Sequence, residues 1–446
     1  MKKHNENDAG RNGDITRRDF VRTTAAVASV GALIAPTWAY ARGDDTIRLG
    51  FIGCGSRGAG ATAQALTADP GVVLTAMGDV FEDRLSSSYE RLQSKFGHRV
   101  DVPDERRFIG FDAYRKVIES DVDVVILTTP PHFRPAHLKA AIDAGKHVFC
   151  EKPMAVDATG VRSVLESAAQ ARRKGISLVS GFCWRYSAPN RASYAKIHDG
   201  AIGDVVSMHT TYHTNTLGKQ PRQDHWSDME WQLRNWWHFT WLSGDHIVEQ
   251  ACHSIDWINW AMNGVMPIRA TALGGRQVRK GPESGNVYDH FSVIYEYENG
   301  ARCFHTCRQM PNCSGDNTSY IMGTKGTCLI NPWSPSCVID GESPWRYEGD
   351  SPDMYQVEHN ELFASIRSGQ PMNDGIWMAN STMMAIMGRM AAYTGETITW
   401  EKALYSPEDL TPPEYAFGGI AVGPVAMPGE TEFLPGKAPM LIESGG

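Results

Sequence analysis

The sequence predicts an α/β protein of two domains: a parallel sheet flanked by helices, then an α/β domain built on a large, mainly antiparallel open sheet. Three observations carry this. Residues 47–60, IRLGFIGCGSRGAG, run from an apolar strand into Gly53-x-Gly55-x-x-Gly58, and a helical ATAQAL follows. Between 123 and 185 apolar strands alternate with helical stretches, as crossover βαβ units require. Past residue 200 the texture becomes alternating runs joined by turns such as Asn299-Gly300, the pattern of antiparallel hairpins.

Ahead of these elements stands TRRDFVRTT, residues 16–24, with Arg17 and Arg18 paired before an uncharged run that ends in Ala39-Tyr40-Ala41. That is the layout of a twin-arginine export signal with an A-x-A cleavage site. The run is diluted with Ala, Thr, Ser and Gly and is shorter than the ~20 apolar residues a bilayer span needs. Residues 1–41 are therefore expected to be a removable signal, leaving no stable membrane span and an extracytoplasmic, periplasmic protein exported in the folded state.

About 400 residues remain, enough for two substantial cores. Hydrophobic residues make up 42% and charged residues 21%, as in soluble globular proteins. With 43 Lys plus Arg against 51 Asp plus Glu there is no basic surplus, which argues against a nucleic-acid partner. The nine cysteines are odd in number and irregular in spacing, with no C-x-x-C. Cys54 and Cys150 fall in apolar strands and tight turns, where a free thiol behaves as a small hydrophobe. Cys303 and Cys307 could share one strand face, and a disulfide or metal reading of them is the minor option. Folding in a reducing cytoplasm before export would leave such thiols unpaired.

The glycine pattern gains its meaning from context. It follows a strand, opens a helix, and precedes a second apolar run, VVLTAMGD, that ends in Asp79. That is the dinucleotide-binding fingerprint of a Rossmann domain, placed here at 46–186. Gly53 permits the tight turn, Gly55 lets backbone N–H groups approach a pyrophosphate, and Gly58 allows close helix packing. Ser56 and Arg57 open the helix whose positive end faces the anion. Asp79 would accept hydrogen bonds from ribose hydroxyls and repel a 2′-phosphate, so the expected cofactor is NAD. Ligands of such sheets lie at the carboxyl ends of the strands, which adds Thr128, His132, Glu151, Lys152 and Arg185 to the cofactor-binding candidates.

The second domain is expected over 187–400. Met378, Met383, Met384, Met387 and Met390 recur near helical spacing and read as core filling. From 401 to 446 a tail rich in Pro and Gly is expected to lie as an extended arm over the surface or a neighbouring subunit. That tail and the open sheet face point to a homo-oligomer.

With its Gly-rich first domain, Glu151-Lys152-Pro153 at a strand end, and a histidine-bearing segment after a glycine turn, the chain resembles the Gfo/Idh/MocA oxidoreductases over nearly its whole mature length. The resemblance implies Lys152 as the lysine beside the nicotinamide and the reacting sugar hydroxyl. Chemistry supports this independently: a hydride leaves a carbinol carbon only as the hydroxyl loses its proton, so a base and a positive charge are needed beside the alkoxide. The plain alternative for Lys152 is a surface lysine paired with Glu151.

The segment SGDHIVEQACHSIDWINW, 243–260, places Glu249 and His253 four apart on one expected helical face, so that a carboxylate could orient an imidazole base. In the family D-x-x-x-H is common here; Glu249 stands where Asp would. His246 would share that face, as a substrate-binding or a core histidine; with no further ligand nearby, no metal is expected. Seven of the 13 tryptophans lie between 226 and 260, mostly for packing, and Trp237 is the first candidate to stack on a sugar. Arg308 and Gln309, at the end of an inner strand, could bond sugar hydroxyls or simply end a strand at the surface.

The function expected is NAD-dependent oxidation of a ring hydroxyl of a sugar or glycoside, redox-neutral with tightly bound cofactor. One alternative is a glycosidase resembling glycoside hydrolase family 109, which would work by transient oxidation, elimination, hydration and reduction. The other is a non-catalytic sugar- or nucleotide-binding protein.

Overall fold

The computed structural model of the chain describes residues 45–333 and 337–436; the expected signal segment and the last ten residues of the tail lie outside the described residues. All elements below belong to one unit, Thr46–Gly446.

The first sheet holds β1 (Ile47–Ile52), β2 (Val72–Asp79), β3 (Arg107–Ile109), β4 (Val124–Leu127), β5 (His147–Cys150) and β6 (Leu178–Ser180), in the order β3-β2-β1-β4-β5-β6. Every pairing in it is parallel. Its strands are almost continuously apolar because helices cover both faces. Those helices are α1 (Ser56–Ala68), α2 (Glu82–Phe96), α3 (Ala113–Glu119), α4 (Arg134–Asp143) and α5 (Ala158–Lys174). Helix α5 shows the local logic: the Asp157 side chain accepts the Gly160 N–H at 2.7 Å, Arg172, Arg173 and Lys174 fill the last turn, and Gly175 ends the helix with φ 66°. A cap of that kind contributes about 1 kcal/mol, and the left-handed Gly175 carries no Cβ penalty. The chain leaves β1 in one direction and β4 in the other, so a crevice opens between their carboxyl ends.

The second sheet has nine strands: β7 (Val205–Thr214), β8 (Arg269–Gly275), β9 (His290–Glu296), β10 (Arg302–Gln309), β11 (Ser319–Gly323), β12 (Gly326–Ile330), β13 (Val338–Gly341), β14 (Trp345–Arg346) and β15 (Ile398–Thr399). Their order is β14-β13-β12-β11-β7-β10-β9-β8-β15. Only β7 and β10 pair in parallel; the other pairings are antiparallel. The remaining helices are α6 (Ala188–His198), α7 (Asp228–Arg234), α8 (Thr240–Ser243), α9 (His246–Glu249), α10 (Cys252–Ala261), α11 (Met354–Ser368), α12 (Gly375–Thr394) and α13 (Trp400–Leu404). Helix α12 buries Met378, Met383, Met384, Met387 and Met390 against the inner face of this sheet and α5.

Helix α11 departs from the domain boundary drawn on the sequence. Leu362, Phe363 and Ile366 share a core with Ile47, Leu49 and Phe51 of β1, so this late segment packs on the first sheet against α1. Its amphipathic pattern specified that one face is buried, not which sheet buries it.

All nine cysteines are unbonded; eight are buried and Cys313 is exposed. Among the described residues no helix is long and apolar enough to cross a membrane.

Candidate active site and cofactor cleft

A cleft of about 680 Å³ opens at the crevice between β1 and β4. Gly53 turns the chain out of β1 with φ +92°, and a Cβ there would stand 2.5 Å from the Thr129 nitrogen. A Cβ on Gly58 would meet the Gly53 carbonyl oxygen at 2.3 Å, whereas one on Gly55 would meet nothing within 4 Å. Gly53 and Gly58 are thus required by packing, and Gly55 leaves the space before α1 clear. No side chain caps α1, whose free N–H groups face that space, as a pyrophosphate needs. Thr128 closes the turn by donating to the Gly53 carbonyl at 2.7 Å. Both Asp79 oxygens are held by backbone: Oδ2 accepts from Cys54 N–H at 2.6 Å and Oδ1 from Phe81 N–H at 2.8 Å. The donor set and the cradle fit a dinucleotide.

From this cleft a chain of charges leads to the second domain. Arg57 lines the cleft; its Nε donates to Glu151 Oε1 at 2.5 Å and its Nη2 to Glu358 Oε1 at 2.8 Å. Burial acts to raise the Glu151 pKa, but Arg57, Lys152 and Arg134 around it hold the carboxyl below its ordinary range. Glu151 Oε2 in turn accepts the Lys152 backbone N–H at 2.9 Å. The Lys152 side chain does not pair with a carboxylate: Nζ donates to the backbone carbonyl of Glu249 at 2.5 Å.

Around Lys152 stand the groups able to move a proton. Burial pushes the Glu249 carboxyl up to about 7, against the opposing pull of Lys152 and Gln309. Burial, with Lys152 and Arg57 adding to it, pushes His253 well below its ordinary value, so the imidazole is neutral. Its ring lies 4.8 Å from Trp184, which stacks on Trp257 at 4.2 Å, and 5.7 Å edge-on to Phe182. Gln309 Nε2 donates to Glu249 Oε1 at 3.2 Å and to Gln250 Oε1 at 2.7 Å.

The helix expected across 243–260 is three pieces. Gly244 at φ 73° ends α8, Asp245 at φ 74° starts α9, and Gln250 and Ala251 separate α9 from α10. Glu249 and His253 are consequently on different helices, and the carboxylate bonds to Gln309 rather than orienting the imidazole. The turn between α8 and α9 is held by Asp245, whose buried carboxylate accepts from His246 Nδ1, Tyr288 N–H and the Tyr393 hydroxyl.

A model described as "Oxidoreductase family, NAD-binding Rossmann fold" matches residues 47–178, and one described as "GFO/IDH/MocA C-terminal domain" matches 191–329. The chain belongs to the Gfo/Idh/MocA family. It is 25% identical over 305 residues to trans-1,2-dihydrobenzene-1,2-diol dehydrogenase of Mus musculus, covering 65% of this chain and 81% of that one. It is 31% identical over 167 residues to a glycosyl hydrolase family 109 protein of Streptomyces coelicolor, covering 37% and 34%. Among solved structures, the aldose-aldose oxidoreductase of Caulobacter crescentus shares the fold with a TM-score of 0.63 at 21% identity, over 79% of this chain and 99% of that one. The first domain of this Gfo/Idh/MocA oxidoreductase is an NAD-binding Rossmann domain.

Several expected site residues of this Gfo/Idh/MocA chain lie elsewhere. Arg185, placed at the cofactor on the sequence, makes a bidentate ion pair with Asp256 at 2.7 and 2.8 Å, between the rings of Trp260 and Trp377. The 3-10 turn at 183–186 swings Trp184 toward His253 and Arg185 away. His246 is packed in the core on Asp245 and Phe291, its Nε2 without a partner. Arg308 lies on the outer face of β10 and donates to the Ser314 carbonyl, whereas Gln309, next in sequence, points inward to Glu249. Trp237 lines the dinucleotide cleft and donates to the Gly218 carbonyl at 3.0 Å. His132 lies outside the cleft lining, its Nε2 2.8 Å from the Tyr415 hydroxyl.

Other residues were missed. Arg279 is buried, bonds Gln309 Oε1 and sits 2.6 Å from His238 Nδ1, on a loop whose backbone N–H groups at 277, 278 and 279 all donate to Asp289. Arg84, Phe111 and Arg234 line the cleft. No local motif marks any of them.

Proposed function

We propose that the protein is an exported, NAD-dependent oxidoreductase acting on a ring hydroxyl of a sugar or glycoside, and that it gives the hydride to a second sugar, which is thereby reduced, within the same site. The observation that carries the reading is Lys152: a cation just past the carboxyl end of β5, bonded to a carbonyl rather than to a carboxylate, with a neutral histidine and a titratable glutamate beside it. Bound NAD supplies the hydride acceptor and, in reverse, the donor. Arg57, Gly53, Gly55, Ser56, Gly58 and Asp79 hold it. Lys152 stabilises the developing alkoxide, and neutral His253 accepts the hydroxyl proton, with Glu249 as the second proton-holding group. Phe182 and Trp184 fix the imidazole and keep bulk water from it.

Export by the twin-arginine route supports retention of the cofactor. Outside the cytoplasm no fresh NAD is at hand, so a nicotinamide released after each turnover would soon be lost. Purified mature protein is expected to hold stoichiometric nicotinamide and to convert many substrate molecules without added NAD or accumulating NADH. Turnover dependent on added NAD, with one NADH per product, would overturn the reading.

A glycosidase outcome is the second reading, and Glu249 is what favours it. A carboxyl near 7 beside a neutral imidazole can take a proton from the carbon next to an oxidised ring position and give one to a leaving group. Product mass spectrometry on oligosaccharides and aryl glycosides separates the two: oxidised sugar with an equal amount of reduced sugar in one case, free aglycone and unoxidised sugar in the other.

The same reading includes self-association through the outer face of the second sheet. Strand register sets Ile294, Phe304, His209, Tyr320 and Leu329 in one row, with Phe304 37%, Tyr320 41% and Leu329 42% exposed. An aligned apolar row across neighbouring strands fits a second copy of the same face. Light scattering of Tyr320→Lys tests it; an unchanged mass would overturn it.

A further inference from the structure

The tail is an extended, largely exposed arm, and its residues 415–420 lie against both walls of the dinucleotide cleft. One wall of that cleft is formed by Phe81, Phe111 and Phe133 of the first domain, the other by Leu233 and Arg234 at the end of α7 and Trp237 just after it. Phe417 packs on Phe81 at 6.0 Å and on Phe111 at 5.4 Å. Tyr415 packs on Phe111 at 6.1 Å and Phe133 at 5.6 Å, and its hydroxyl is bonded to His132 Nε2. Immediately afterwards the tail bonds the opposite wall: the Gly418 carbonyl accepts from Met229 N–H at 3.1 Å and the Ile420 carbonyl from Gln232 Nε2 at 3.0 Å.

We infer that residues 415–420 form a strap joining the two walls of the dinucleotide cleft, and that the strap controls how fast the dinucleotide leaves. Beside the strap, Arg234 pairs with Asp83 and lies 4.0 Å over the Phe81 ring, Phe81 shares an apolar cluster with Met229 and Leu233, and Trp241 meets His132 and Phe133 edge-on. The strap rings back the cleft-lining phenylalanines without lining the cleft themselves, so they are positioning residues. Tyr415 is 41% and Phe417 50% exposed, so each strap residue is held on one side only and can lift as a unit. Widening the mouth therefore requires breaking the strap's aromatic contacts and three hydrogen bonds in addition to parting those wall contacts, and the strap's share of this barrier is met by dinucleotide exit but not by chemistry in the closed cleft.

This inference rests on the reading of retained NAD, and the experiment separates the two. Full-length mature protein carrying Tyr415→Ala with Phe417→Ala is loaded with NADH, and loss of bound fluorescence is followed after dilution into excess scavenger. Dissociation at least about tenfold faster than in the parent is expected, with kcat at saturating NAD within about twofold. A second variant, Tyr415→Phe, keeps the ring and removes only the bond to His132; about threefold faster release is expected. Phe417→Tyr should restore the parental rate, which a merely destabilised fold would not. Release from both Tyr415→Phe and the double variant at the parental rate would overturn the strap. If the parent itself proves to need added NAD while the variants still release faster, retention fails and the strap stands.

Discussion

Lys152 Nζ is hydrogen-bonded to the main-chain carbonyl of Glu249 at 2.5 Å, so the cation is fixed by backbone while the Glu249 carboxyl remains free to titrate. A direct Lys–Glu ion pair would have drawn that carboxyl down and neutralised the cation. The arrangement keeps a positive charge available for an alkoxide and a proton acceptor near neutrality within one site.

Lys152→Ala and His253→Ala should each lower kcat by at least about 10³-fold while leaving nicotinamide content unchanged, since neither residue lines the dinucleotide cleft. Steady-state rates together with absorbance of the denatured protein check both parts. Near-normal kcat in either variant would remove that residue from the chemistry.

Glu249 gives the pH dependence a sign. Its pKa is raised from 4.5 to about 7, so the carboxyl is protonated below about 7 and the oxidation rate should rise with pH through that value. In Glu249→Gln the limb should vanish. A group whose folded pKa is raised contributes stability that is full below the unfolded pKa and lost as pH climbs. The parent should therefore lose roughly 3 kcal/mol relative to Glu249→Gln between the two values, read by urea unfolding at pH 4.5 and pH 8.

Asp79→Ala should weaken preference for NAD over NADP by about tenfold or more, measured as the ratio of Kd values. The main chain orients both of its oxygens, so the residue is preset for a ribose diol. An unchanged ratio would move the ribose contact to another residue.

Arg185→Ala should destabilise the fold without changing dinucleotide affinity. It would strand the Asp256 carboxylate, which is 2% exposed, at a cost of about 3–5 kcal/mol. A lower Tm with the parental Kd for NADH is the expected pair of results; weakened dinucleotide binding at equal stability would return Arg185 to the cofactor.

What the sequence determined by itself is what local chemistry can encode. The apolar runs, Gly53 with its positive φ, the close packing at Gly58 and the strand-end placement of Asp79 and Lys152 follow from neighbours a few residues apart, each with one admissible conformation. The two-sheet architecture follows from the change of period between the halves of the chain. Arg308 and Gln309 show the limit: alternation places them on opposite faces, but only the packed sheet decides which face holds the site. At 243–260 helical spacing predicted one face, but the chain breaks at Gln250 and Ala251, between Glu249 and His253, and also at Asp245, whose buried carboxylate is satisfied by groups as distant as Tyr393. The contacts that complete the cleft are longer-range still, Arg57 to Glu358 across 301 positions and His132 to Tyr415 across 283. No periodicity or propensity registers such pairs, because their stabilisation arises only after the chain has been brought together. Tertiary structure alone decided that α11 supports the first sheet, that Arg185 serves Asp256, and that the tail packs on the phenylalanines lining the cleft.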